Sequence, residues 1–263
     1  MTTTAPVVLR HIGGPTTLIE VADLRLLVDP TFDPPGAYPT ADYTLTKHAG
    51  PAVTPAELGA VDAVLLSHHQ HADNLDRSGR ELLATVPLVL STRAAAGELG
   101  GTVTGLEPWQ DVLLEGAGGQ VRVTAVPAEH GPPDLGSITG PVIGFVLSGD
   151  PSDLVPTTYV SGDNASLDVV RHVAERFPEV VVAVLFGGAA RAERIGPVNL
   201  TLGAEDMVTA AGILGARHVY PVHADGWAHF SEGIAEVRDA FARAGLTDRL
   251  VVPPQGAEPK VLR

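Results

Sequence analysis

Ten histidines occur in the 263-residue chain, and three of them fall within four positions, in Ser67-His68-His69-Gln70-His71-Ala72-Asp73-Asn74. Imidazole nitrogens and carboxylate oxygens at this density are the donor set of zinc, manganese or iron sites. Residues two apart on an extended segment point to one side, so His69, His71 and Asp73 can converge on one ion. The competing explanation is a polar turn in which Asp73 caps the helix that follows. Three histidines in four positions are an unusual way to build a cap.

Three more ionisable residues stand in similar places. His130 follows the apolar run Val121–Val126, Asp163 follows Thr157–Val160, and His223 follows Arg217–Val222. Each lies beyond the end of a strand-like run, with Gly or Pro nearby. Asp29 closes a fourth such run, Leu24–Val28. Taken singly these are loop residues; taken together they are an ordered set of nitrogen and oxygen donors.

The elements that must position these side chains change character along the chain. Val7–Arg10, Thr16–Val21 and Leu24–Val28 alternate as strands do, separated by Gly13-Gly14-Pro15 and Ala22-Asp23 turns. From Thr31 to Pro55 the chain is rich in Pro, Gly, Tyr and Thr without a clear period, a long connection of the kind that is usually functional, here a candidate lid carrying Tyr43, Lys47 and His48. Val61–Leu66 and Pro87–Leu90 read as strands, with helices over Leu75–Ala84 and Thr92–Leu99. Strands are also expected near Val121–Val126, Val142–Leu147 and Thr157–Val160. The last third alternates: helix Leu167–Arg176, strand Val180–Leu185, helix Ala204–Leu214, strand Arg217–Val222, helix Ser231–Ala244 and strand Leu250–Val252. Strands first and α/β alternation later predict an α+β layered architecture, with residues 1–263 as a single domain.

The ordered donor set resembles the metallo-β-lactamase superfamily over nearly the whole chain. The early Gly13-Gly14-Pro15-Thr16-Thr17-Leu18-Ile19-Glu20, followed by Leu27-Val28-Asp29-Pro30, is most similar to the branch holding L-ascorbate-6-phosphate lactonase and N-acylphosphatidylethanolamine phospholipase D. The resemblance implies a four-layer αββα sandwich with a hydrolytic, often dinuclear, metal site at one sheet edge. It implies that His69, His71 and His130 hold the first metal, Asp73 and His223 the second, with Asp163 bridging and Asp29 orienting ligands from behind. Asp73 would also orient the attacking water or take its proton. The family usually has a histidine directly after the motif's aspartate, where this chain has Asn74. The second metal would then be weak, absent or completed by another donor, with His68 the candidate. Asn74, Trp227 and His229 are expected near the substrate. Arg191 and Arg194, in a Gly-rich stretch, could read a carboxylate or phosphate or be solvated loop residues. His11, His172 and His218 are read as structural.

Composition narrows the chemistry. With 31 acidic against 17 basic residues the net charge is −14, which repels nucleic acid and anionic membranes. The absence of cysteine excludes thiolate metal sites, thiol nucleophiles and iron–sulfur clusters. No apolar run approaches the roughly 20 residues of a membrane helix, and the N-terminus carries no leader pattern, so a cytoplasmic protein is expected. Hence the leading expectation is a hydrolase of a small ester, lactone, amide or phosphodiester using one or two Zn2+, with Mn2+ or Fe as alternatives. A diiron redox enzyme and a non-catalytic metal-binding scaffold are the other readings. The expected partner is a small-molecule substrate, with no nucleic acid, no membrane span, and homo-oligomerisation open.

Overall fold

The computed structural model describes residues 6–40, 43–150, 155–252 and 259–263. Residues 1–5, part of the N-terminus expected to carry no leader, lie outside them. The strands are β1 (Val7–Gly13), β2 (Thr16–Val21), β3 (Leu24–Val28), β4 (Gly36–Pro39), β5 (Thr44–Lys47), β6 (Ala63–Leu65), β7 (Val89–Thr92) and β8 (Val103–Leu106). They continue as β9 (Asp111–Gly116), β10 (Gly119–Pro127), β11 (Ile143–Ser148), β12 (Thr158–Val160), β13 (Val182–Phe186), β14 (His218–Val222) and β15 (Lys260–Leu262). The helices are α1 (Pro55–Leu58), α2 (Arg77–Leu83), α3 (Arg93–Leu99), α4 (Gly136–Thr139), α5 (Leu167–Arg176), α6 (Ala204–Leu214) and α7 (Ile234–Arg243).

Two sheets form the middle layers. One runs β15-β1-β2-β3-β6-β7-β8, the other β14-β13-β12-β11-β10-β9. Residues buried on the facing sides, among them Leu9, Leu26, Leu65, Phe145, Val184 and Tyr220, make the central core. A second core packs Tyr159, Ala183 and Leu185 against Val170, Met207 and Phe241 of α5, α6 and α7. A third packs Ile12, Leu27 and Val64 against Leu58, Leu75 and Leu83 around α1 and α2. Three apolar interfaces require four layers, and the αββα sandwich follows.

Local signals explain where the helices sit. Ser166 caps α5 through its side chain, and Val169, Val170 and Val173 supply the buried stripe. Gly215, left-handed at φ 63°, ends α6. Asp76 caps α2, accepting from the Gly79 N–H. Gly79 itself is a close-approach residue: a Cβ there would lie 2.0 Å from the Pro30 carbonyl oxygen. That contact seats α2 on the exit of β3, next to Asp29.

Several elements differ from expectation. The Thr31–Pro55 stretch holds the antiparallel hairpin β4–β5. β8, β9 and β15 were not foreseen. Leu250–Val252 is no strand; it keeps only a bridge from Leu250 to Val219. The chain end instead supplies β15, paired with β1. No helix among the described residues is long and apolar enough to cross a membrane.

Candidate metal centre

The strand ends converge. β3 delivers Asp29, β6 leads into Ser67–Asp73, β10 into His130, β12 into Asp163 and β14 into His223. Such C-terminal strand ends are where layered α/β proteins build sites. Two positions demand unusual backbone. Asp29 at φ 37° and His223 at φ 55° both adopt the left-handed region, where non-glycine residues are uncommon and often functional. Gly162, at φ 57°, allows Asp163 in: a Cβ there would meet the Ile143 carbonyl oxygen at 2.6 Å.

The donors fall into two groups. His68, His71, His130 and Asp163 form one; Asp73, His223 and His229 form the other, each group's ligand atoms lying within 4.8 Å of one another. Asp163 stands between them. Its Oδ2 lies 3.5 Å from His130 Nε2 and 3.9 Å from His68 Nε2, while its Oδ1 lies 3.6 Å from His223 Nε2. In the second group Asp73 Oδ2 is 3.1 Å from His223 Nε2 and 3.0 Å from His229 Nε2.

This corrects the expected frame. His69 does not join the cluster; its Nε2 lies 2.8 Å from Glu98 Oε2, an exposed side chain of α3. The extended geometry assumed for the motif ends with Leu65, and from His71 the chain turns, with the Leu75 N–H bonded to the His71 carbonyl. Alternation therefore fails, and His68 and His71, three apart, face one another with 2.8 Å between Nε2 and Nδ1. His68 joins the first group and not the second. The donor that joins Asp73 and His223 is His229, expected only as a substrate contact.

Behind the donors, hydrogen bonds fix which nitrogen faces inward. Ser67 donates its hydroxyl to Asp29 Oδ2 at 2.6 Å and its N–H to Asp29 Oδ1 at 2.6 Å. Its oxygen then accepts from His68 Nδ1 at 2.9 Å, leaving His68 Nε2 as the inward lone pair. His130 Nδ1 donates to the Leu200 carbonyl at 2.8 Å, which frees its Nε2. Asn74 is buried and donates to both Asp29 Oδ2 and Asp163 Oδ1 at 3.1 Å, so it joins the supporting acid to the central one instead of facing a substrate. Trp227 is buried against Tyr38, 5.4 Å between ring centroids, with the Lys47 ammonium 5.4 Å from its ring. It too lies away from the cavity.

The electrostatics suit a cation. Burial holds His68 well below the usual imidazole range and His71 at about 4, so both present neutral lone pairs. Burial alone would raise Asp73 and Asp163, but the facing imidazoles, His229 and His223 for Asp73 and His223 and His130 for Asp163, keep both acids ionised. His223 rises to about 9: burial opposes its charge, and Asp163 and Asp73 overcome that. Burial pushes Asp29 up to about 7 against the pull of Ser67 and Asn74. Asp163 Oδ2 is buried with no hydrogen-bond partner among the described residues, and a buried acceptor left so is costly unless something positive fills the space. Asp163 and the six other nitrogen and oxygen donors grouped with it fit one or two divalent ions.

A cavity of about 570 Å³ opens over this centre. His71, Asp73, His130 and His229 line it, as do Leu45 and Ile195. Tyr43 lines it as part of the expected lid, whereas Lys47 is buried beneath. His11 Nε2 meets the Gly14 carbonyl at 3.0 Å and His218 Nε2 the Arg263 carbonyl at 3.2 Å, away from the centre.

Comparison with known proteins agrees with the fold. The fold is similar to an isothiocyanate hydrolase from Delia radicum gut bacteria, at 21% identity and a TM-score of 0.79, covering 97% of this chain and 99% of that one. It is similar to Igni18, a metallo hydrolase from Ignicoccus hospitalis, at 18% identity and a TM-score of 0.72, covering 98% and 99%. CmlA, a diiron β-hydroxylase from Streptomyces venezuelae, matches all of this chain with 55% of its own, at 17% identity and a TM-score of 0.65. No curated protein matches significantly by sequence. The family model for the beta-lactamase superfamily domain matches residues 24–224, well over half the chain. The chain thus belongs to the beta-lactamase superfamily, folded as the metallo-β-lactamase sandwich.

Proposed function

We propose that this protein is a metal-dependent hydrolase of a small ester, lactone, amide, phosphodiester or related electrophile. The observation that carries the reading is the pair of donor groups on either side of Asp163, opening into one cavity. His68, His71, His130 and Asp163 would hold one ion, and Asp73, His223 and His229 a second, with Asp163 shared. Bound there, a divalent ion supplies Lewis acidity and lowers the pKa of water toward neutrality. Zinc suits the donors, and manganese or iron also matches them. Asp73, kept ionised in the cavity lining, is the base that accepts a proton from water. Asp29, through Ser67, holds His68 in the tautomer that offers Nε2. The lining residues Leu45 and Ile195 exclude solvent from one side of the substrate. The similarity to the lactonase and phospholipase D branch rests on the early Gly13-Gly14-Pro15 segment, and that to the isothiocyanate hydrolase on fold. Both chemistries belong in the substrate screen.

The test is metal content per chain on tag-free protein, followed by that screen. Two equivalents of zinc or manganese with turnover are expected. His68→Ala and His130→Ala should each lose metal, whereas His69→Ala should retain it. Two irons with oxygen consumption would replace the hydrolase with a redox enzyme, and no bound metal after incubation with all three ions would leave a binding scaffold.

A further inference from the structure

The cavity mouth differs in charge from the rest of the molecule. Arg191 and Arg194 both line it, on a chain of net charge −14. Neither guanidinium has a carboxylate within ion-pair distance among the described residues, although Arg25, Arg93, Arg122, Arg171 and Arg243 each do. Each is held by a neutral contact instead. Arg191 donates from Nε to Asn199 Oδ1 at 3.0 Å, and Arg194 stacks 4.8 Å from the centroid of the Tyr43 ring. Glu193 also lines the mouth, so the segment offers two positive charges against one negative.

Nor is Arg191 on a loose loop. Its N–H donates to the His229 carbonyl at 3.0 Å, fixing it to a residue of the metal centre. The preceding Ala190 pairs with Phe230 as a bridge and donates to Thr201 Oγ1 at 3.0 Å. With Nε occupied, the two terminal nitrogens of Arg191 present the end-on edge that grips a carboxylate or phosphate with two hydrogen bonds. A guanidinium positioned in advance loses less freedom when it binds. Leu45 and Ile195, both half-buried, line the same cavity as the arginines and the metal donors.

We propose that Arg191 and Arg194 form an anion subsite at the mouth of this cavity. The substrate is then a small molecule with a carboxylate or phosphate at one end, a short apolar stretch, and the cleaved bond at the other end. This rests on the hydrolase reading for the bond that is cleaved, but not for the anion.

The test compares three p-nitrophenyl esters with zinc-loaded protein: the neutral valerate, the glutarate monoester with a free carboxylate, and the 4-phosphonobutyrate ester. Wild type should favour one or both anionic esters over the valerate by ten-fold or more in kcat/KM, chiefly through KM. The preferred member of the pair identifies carboxylate or phosphate as the group that is read. In Arg191→Ala and Arg194→Ala that preference should fall toward unity, and Arg191→Lys should recover part of it. Equal use of charged and neutral esters by wild type, or a preference unchanged in both alanine variants, overturns the proposal. Should wild type cleave none of the three, the hydrolase reading is what suffers. Equilibrium binding of glutarate and 4-phosphonobutyrate to zinc-loaded wild type and the Arg191→Ala/Arg194→Ala double variant then decides. Binding weakened ten-fold or more in the double variant supports the subsite, and binding unchanged refutes it.

Discussion

Asn74 shows how one side chain organises the centre without facing its cavity. Its amide nitrogen is shared between two buried acids, Asp29, which Ser67 also supports, and Asp163. Hydrogen bonds to charged groups are worth roughly 1.5–3 kcal/mol each. Asn74→Ala should therefore destabilise the protein by about 3 kcal/mol, measured by urea denaturation, and should loosen metal binding as Asp163 loses its support. That His130, Asp163 and His223 come together in the candidate centre was legible because each follows an apolar run that ends in glycine, proline or a polar turn. His68 was not, because the choice between neighbouring histidines depends on where an extended segment becomes a turn. That is decided by the bond from the Leu75 N–H to the His71 carbonyl and by Glu98 drawing His69 outward, neither visible in spacing. His229, expected beside the substrate, groups instead with Asp73 and His223. In the proposed centre His229 would take the place of the histidine that Asn74 replaces after Asp73.

Among the elements, the β4–β5 hairpin is the one that most affects the site and was least visible. Its strands span four residues each, and Lys47 alone among them is buried, so no buried period marks them. Similar reasons hid β9, whose residues alternate between exposed and half-buried and are never fully buried, and β15, only three residues long. Helices α5 and α6 were readable to the residue because caps and buried faces agree. The hairpin is fixed by tertiary contacts. The His48 N–H bonds to the Gly226 carbonyl at 2.7 Å, the Ala228 N–H bonds to the Thr46 carbonyl at 2.9 Å, and Lys47 bridges to Trp227. The Lys47 side chain, only 4% exposed, lies 3.3 Å from Asp76, the cap of α2. Burial lowers the Lys47 pKa while Asp76 pulls it back, as in a charge retained because its partner is there. Removing one member of a buried pair leaves the other uncompensated, at roughly 3–5 kcal/mol. Lys47→Met should cost that much in denaturation. In a Trp109→Phe background, which leaves Trp227 as the sole tryptophan, it should also shift the emission to the red as the hairpin separates. An unshifted spectrum and unchanged stability would mean that the ion pair does not hold the hairpin.

For the molecule as a whole, a layered α+β architecture followed from the order of strand and helix signals and its four αββα layers from the family resemblance, whereas the strand order within each sheet followed from neither. Sheet order depends on crossovers such as β3 to β6 and on the return of β15 to β1, pairings between segments far apart in sequence. What the two sheets accomplish together is to bury Asp29, Asp73 and Asp163 near one another at one edge, in a chain already carrying excess negative charge. Hydrogen bonds and imidazoles offset that arrangement only in part, as Asp163 Oδ2 shows. An ion bound only by the folded state adds stability that grows with its free concentration, about 2.7 kcal/mol at a hundred times Kd. For a chain of this size that corresponds to roughly 2–4 °C in Tm per kcal/mol. Chelation of the zinc-loaded protein should therefore lower Tm by about 5–10 °C, and restoring zinc should reverse the change. Asp163→Asn should abolish most of this response, because the shared oxygen pair serves both donor groups. A chelated wild type that melts at the same temperature as the loaded one would mean that the clustered acids are satisfied within the protein and that the fold is independent of metal.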